Sequence, residues 1–316
     1  MKDERGLRIG APFFTSCGRR GRSTRGYYLS AFLLQPPSAS VHPILFLHPK
    51  VDLSQGGFTL HWSTVIGLLA LLGLYEWRAA VHARTEGRRP TALQRLCLLL
   101  GLGAMFGTLN GPVHDISDYY LFTGHMVQHL VLTFVTPPLL LLGVPGWMLR
   151  PALAQRHVAA VARAVTSPRA AFAIFNLTLA FWHLPPNYNS AMYYHEVHIA
   201  QHLMFLVTAV LAWWPLLSPL PELPRLSYPG QMLYSFLMTL PMTVISIFIV
   251  YADHVLYPAY ASAPRLWGLS PLEDQRLGGL IMWIPGGLFF YLLTSVIFLR
   301  WVQSQRDDRA GAQVTG

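Results

Sequence analysis

The chain has 316 residues, 53% of them hydrophobic and only 12% charged, about half the ~25% charged share of a soluble globular protein. With a mean hydropathy of +0.38, this composition excludes an ordinary soluble enzyme and predicts one all-α, polytopic membrane domain. The formal charge of +9 is what arginine-rich loops on a cytoplasmic face produce, and no basic patch interleaved with aromatics points to nucleic acid.

Residues 1–57 read as a basic, poorly ordered tail carrying Lys2, Arg5, Arg8, Arg19, Arg20, Arg22, Arg25 and Lys50. The tail is a long segment that escapes the loop-charge rule, a weakly signal-like segment, or sequence upstream of the true start, and it is expected to be dispensable. A membrane domain follows over 58–301. Seven stretches in it approach the roughly 20 apolar residues that a spanning helix needs: 60–77, 92–109, 121–144, 170–184, 199–217, 232–250 and 277–301. Prolines 137, 138, 241 and 285 fall inside spans three, six and seven, where neighbouring helices satisfy the freed carbonyls. The last segment, 302–316, reads as a cytoplasmic tail.

Loop charge orients this seven-helix bundle. Thirteen arginines follow spans one, three, five and seven, from Arg78 to Arg309, whereas the opposite loops hold only Arg265 and Arg276. The positive-inside rule then puts the amino terminus outside and the carboxy terminus in the cytoplasm.

That topology sorts the histidines. His82 and His157 fall on the cytoplasmic side, while nine others collect at the outer face: His61, His114, His125, His129, His183, His195, His198, His202 and His254. Two copies of H-x-x-Q-H-L stand out, His125–Gln128–His129 in span three and His198–Gln201–His202 in span five. Residues at i and i+4 share a helix face, so each copy presents two imidazoles to one neighbour, and His195 extends the second stripe. Neutral imidazole binds Zn, Cu, Fe and Ni without bringing charge into lipid. Ionisable residues inside spans are functional candidates by default.

The predicted metal ligands are therefore His125, His129, His195, His198 and His202. Further candidates are His61, His114, His183, Met126, Gln128 and Gln201, with Asp115, Asp118 and Asp274 as carboxylates that either fix ring tautomers or stand as solvated loop charges. His254 reads as a residue of a wet loop. Met192, Met204 and Met282 are thioethers that membrane helices use mostly for packing. Cys17 and Cys97 make no CxxC spacing, so a thiolate site or redox dithiol is not expected. A retinal Schiff base is excluded, because the only lysines, Lys2 and Lys50, precede span one. No GxSxG, Walker or HExxH motif occurs.

The ordered motifs resemble one family. They are G-H-M-V-Q-H-L at 124–130, T-P-P-L-L-L-L-G-x-P at 136–145 and F-W-H-L-P at 181–185. H-x-x-Q-H at 198–202, W-W-P at 213–215 and D-Q-x-x-G-G-x-I-M-W-x-P-G at 274–286 complete the set. Over roughly 58–301 the chain resembles the CtaG-type polytopic cytochrome c oxidase assembly factors. The resemblance implies a non-enzymatic, multi-pass protein of the bacterial cell (inner) membrane that serves respiratory chain biogenesis. It implies copper as the metal, haem–copper oxidase subunits as partners and a periplasmic copper chaperone as a donor. Two other readings fit the residues alone: a b-type haem redox protein, with axial histidines from spans three and five, and a metal-free assembly scaffold.

Overall fold

Long apolar runs in lipid satisfy their backbone polar groups only internally, and so fold as helices. The computed structural model describes residues 58–315, with side chains to 307, and has no strand among the described residues. The tail 1–57 lies outside the described residues. In chain order the main helices are α1 (Trp62–Thr85), α2 (Ala92–Leu109), α3 (Gly111–Tyr119), α4 (Phe122–Leu130) and α5 (Thr136–Gly143). After a short α6 (Gly146–Leu149) come α7 (Arg156–Val165), α8 (Pro168–His183), α9 (Pro185–Tyr193), α10 (His195–Leu217), α11 (Tyr228–Val250), α12 (Pro258–Ala261) and α13 (Pro271–Thr315).

Among the described residues, six helices are long and apolar enough to cross a membrane: α1, α2, the α4–α5 unit, α10, α11 and α13. The fourth expected span differs. α7 and α8 meet at 69°, and the 16 residues of α8 rise only about 24 Å, short of a ~30 Å core. Pro168 is the first residue of α8 and disfavours helix at Ser167, whose ψ is 141°, so the chain cannot run straight through. The count is seven only if this bent pair is one span. α10 also begins four residues before the expected 199, which brings His195 and His198 onto the same helix as His202. The expected 277–301 lies wholly inside α13.

Span three is not a uniform α-helix. Between α4 and α5 the chain widens into a π turn over Val131–Val135. Pro137 has no N–H for the Thr133 carbonyl four residues back, and its ring would crowd that oxygen in a regular helix. The freed carbonyl accepts the indole N–H of Trp213 on α10 at 2.8 Å. The proline therefore bends α4–α5 and also ties it to α10.

The α4–α5 unit is central, with 56% of its apolar window buried, whereas α1 with 17% is peripheral. One core joins α4, α8, α9, α10, α11 and α13 around Phe122, Tyr188, Phe205 and Met282, and a smaller one seats α1 and α2 through Leu68, Tyr75 and Leu102. The start of α13 caps α4, since the Asp274 carboxylate accepts the amides of Phe122 (2.8 Å) and Thr123 (3.0 Å). One turn on, a Cβ at Gly278 would lie 2.4 Å from the Phe122 ring, so only glycine lets the two helices approach this closely.

Candidate metal centre

The helix ends that meet at this cap hold the histidines. α4 carries His125 and His129, α10 carries His198 and His202, and α3 brings His114 and Asp118. His125, His198 and His202 each offer a ring nitrogen, and the three nitrogens lie within 4.8 Å of one another. All three residues are buried, His125 completely. The Nε2 atoms of His198 and His202 are 3.2 Å apart, close to the ~3.3 Å that two imidazoles adopt on a tetrahedral ion with ~2.0 Å metal–nitrogen bonds. Neither ring nitrogen of His125 has a hydrogen-bond partner. Buried nitrogens normally do, so the unpartnered His125 ring beside the close His198–His202 pair is suited to a cation.

The orientation of the rim follows from hydrogen bonding. Gln128 Nε2 donates to the Thr108 carbonyl at 2.7 Å and lies 3.0 Å from His114 Nδ1. An amide N–H pair offers no lone pair, so His114 Nδ1 accepts and its proton sits on Nε2. That Nε2 points at Asp118 Oδ2, 3.3 Å away. Asp118 Oδ1 lies 3.7 Å from His198 Nε2 and 4.0 Å from His125 Nδ1. Burial pushes the Asp118 carboxyl above the usual range, and neighbouring Asp115 pushes it the same way. A cation at the triad opposes both effects.

The remaining predicted residues take distinct places. His129 packs edge-on against His125 (ring centroids 4.2 Å) and lies 5.5 Å from His202; it is a step deeper and outside the mutually close triad. His195 is half-buried and also outside the triad, on the wall of an open cavity of about 500 Å³ that His61, His114, Asp118, His198 and His202 share. His61 opens α1, its amide held by Asn110 Oδ1 (2.8 Å) and its ring 4.2 Å from His114. His183 donates Nδ1–H to the Leu179 carbonyl at 2.7 Å, leaving Nε2 as an unpartnered lone pair. Met126 is buried beneath the triad and shares a second cavity with His129 and His183.

The carboxylates and glutamines divide differently from the expectation. Asp274 is a helix cap, the correction to its expected role beside an imidazole: the unpaired amides at the start of α4 claim both its oxygens. Asp115 accepts the Thr59 hydroxyl at 2.6 Å. Gln128 orients His114, whereas Gln201, its counterpart in the repeat, is fully buried with its amide unpartnered. His254 is exposed beside Asp253, as expected of a loop residue. Met204 is exposed, and Met192 Sδ lies 3.7 Å from the Tyr260 hydroxyl, so neither is placed at the triad.

Asp118, one of the acids preceding span three, is the carboxylate that the structure sets beside the imidazoles. Its i+4 spacing from His114 on one helix was the available signal. A tyrosine floor was missed. Tyr188 packs on His125 (5.3 Å) and shares a 3.1 Å contact with Tyr260, whose hydroxyl donates to the Ser117 carbonyl.

Comparison with known proteins identifies a family. Residues 73–304 match the family described as cytochrome c oxidase caa3 assembly factor (Caa3_CtaG). Uncharacterised proteins of Mycobacterium bovis and Mycobacterium tuberculosis are each 26% identical over 267 residues, covering 76% of this chain and 38% of theirs. One from Mycobacterium leprae is 22% identical over 278 residues, covering 78% of this chain and 41% of its own. The chain thus spans about two fifths of the length of the curated relatives it matches. No solved structure matches. With the family match covering most of the chain, from α1 into α13, the protein belongs to the cytochrome c oxidase caa3 assembly factor family.

Proposed function

We propose that this protein is a non-catalytic copper-delivering factor for a haem–copper oxidase, holding its cargo at His125, His198 and His202 with His129 behind them. The observation that carries the reading is the convergence of three buried imidazoles, with both ring nitrogens of His125 unpartnered. Imidazoles without thiolates suit an ion that must be released, because soft thiolate cages hold Cu(I) more tightly. Asp118 offers a nearby negative charge, and the open cavity past His61 and His195 gives a route in and out. The cell-membrane location, the outward-facing histidine end, the oxidase subunits and a periplasmic copper chaperone belong to the same proposal, supported by family membership and loop charge.

A bis-histidine haem fits less well. Its two axial nitrogens must face each other from opposite sides of a flat macrocycle, whereas the inter-helix pairs His125–His198 and His129–His202 already pack ring against ring, with centroids 5.4 and 5.5 Å apart. The deciding experiment is metal and optical analysis of detergent-purified protein. Wild type is expected to carry copper and no Soret band. His129→Ala and His202→Ala should lower copper occupancy and the yield of active oxidase at normal protein level, and His82→Ala and His157→Ala should do neither. Added copper should partly rescue the single variants. Full copper and full oxidase yield in both His129→Ala and His202→Ala would sink the proposal in favour of a metal-free scaffold.

A further inference from the structure

Below the triad the bundle encloses a second, much smaller cavity of about 20 Å³, room for one or two water-sized occupants. Two of its walls are imidazoles. His129 has no hydrogen-bond partner at either ring nitrogen, and His183 has none at Nε2. The His183 tautomer is fixed, because Nδ1–H donates to the Leu179 carbonyl at 2.7 Å, so Nε2 is a bare lone pair. This is the arrangement by which a metal-ligating histidine is oriented, its second nitrogen tethered to a backbone acceptor.

The other donors are thioethers. Met126 from α4, Met238 and Met242 from α11 and Met282 from α13 line the same cavity and are nearly inaccessible to solvent. Two of the sulfurs are held in place. Asn176 Nδ2 donates to Met238 Sδ at 3.6 Å. A Cβ at Gly286 would lie 2.9 Å from Met242 Sδ, so α13 presses against that sulfur through bare backbone. Methionine in a membrane core is ordinarily filler. Filler closes voids, however, and here four flexible side chains surround one that also exposes unpaired nitrogens.

Charge and softness identify the ligand class. No charged residue lines this cavity, so a bound ion keeps its full charge in a low-dielectric core. The Born cost grows with the square of that charge, so a monovalent ion costs about a quarter as much as a divalent one. Thioether and imidazole donors select Cu(I)-class ions over harder cations. We propose that His129, His183 and thioethers of Met126, Met238, Met242 and Met282 form a second metal site, selective for a soft monovalent cation, one imidazole step inward from the triad. His129 belongs to both neighbourhoods, its ring 4.2 Å from His125 and 6.0 Å from His183.

The test uses the full chain purified in detergent, with Cys17→Ser and Cys97→Ser removing the thiols, and Ag(I) or anaerobic Cu(I) as probe. X-ray absorption of the loaded protein should contain sulfur neighbours, which only thioethers then supply. Replacing the four methionines by leucine, a nearly volume-conserving change, should remove the sulfur signal and about one Ag(I) per chain. His198→Gln with His202→Gln should leave the sulfur-bound ion in place, which separates this site from the outer one. A purely nitrogen and oxygen environment in the thiol-free protein overturns the proposal whether or not the leucine variant folds, and so does a sulfur signal that survives the leucine replacements.

Discussion

The triad depends on groups that bind no metal themselves. Asp118 lies within 4.0 Å of ring nitrogens from His114, His125 and His198, and its neutral replacement removes the charge while keeping the shape. Asp118→Asn is expected to weaken metal affinity about 10–100-fold, the usual effect of losing an outer carboxylate, with the number of ions per chain unchanged. Competition against a chelator measures this, and an unchanged affinity would make Asp118 a packing residue. Gln128 acts one layer further out. Gln128→Leu leaves the Thr108 carbonyl and His114 Nδ1 without their donor, a cost of about 1–3 kcal/mol for a buried group. It also frees His114 to change tautomer. Thermal unfolding in detergent should register the lost stability, and the triad's metal affinity should fall less than in Asp118→Asn.

Among the helices, the break in span three locks the site. Pro137 orphans the Thr133 carbonyl and Trp213 satisfies it, so α4–α5 is pinned to α10 just below His129. Trp213→Phe should destabilise the fold by about 1–3 kcal/mol, because a buried carbonyl is left unpaired. Pro137→Ala restores an N–H that can close a regular helical turn onto that carbonyl, so the penalty of Trp213→Phe should shrink in the Pro137→Ala background. The coupling in this double-mutant cycle is the readout; strict additivity would mean the indole bond is incidental. The bent α7–α8 pair is the element least visible in hydropathy. An apolar run reports burial in lipid, whereas the direction of the chain at 167–168 is set by one proline.

For the whole molecule, orientation rests on thirteen loop arginines against two. A reporter fused after Arg306 should read cytoplasmic and one inserted near Asn187 periplasmic. The reverse outcome would put the histidine end on the wrong side for outward copper handover. Deleting residues 2–50 should leave membrane insertion and oxidase yield intact, since α1 supplies its own apolar length. A stably inserted truncation without oxidase activity would assign the tail a function.

The amino-acid sequence alone determined the helical membrane class, the approximate spans and the pairing of His125 with His129 and of His198 with His202. Each of these follows from local periodicity: an apolar length matched to the bilayer, and an i, i+4 spacing that puts two side chains on one helix face. Which imidazoles converge is a different matter, because it depends on how far each helix is rotated and how deep it sits. That was decided by contacts distant in sequence: the Asp274 cap on α4, the Gly278–Phe122 approach and the Trp213 bond to Thr133. Those contacts set α4 against α10 and α13, while the Gly286–Met242 approach seats α11 on α13. Helix periodicity fixes the face of a side chain, but the neighbour it meets is settled by packing between helices.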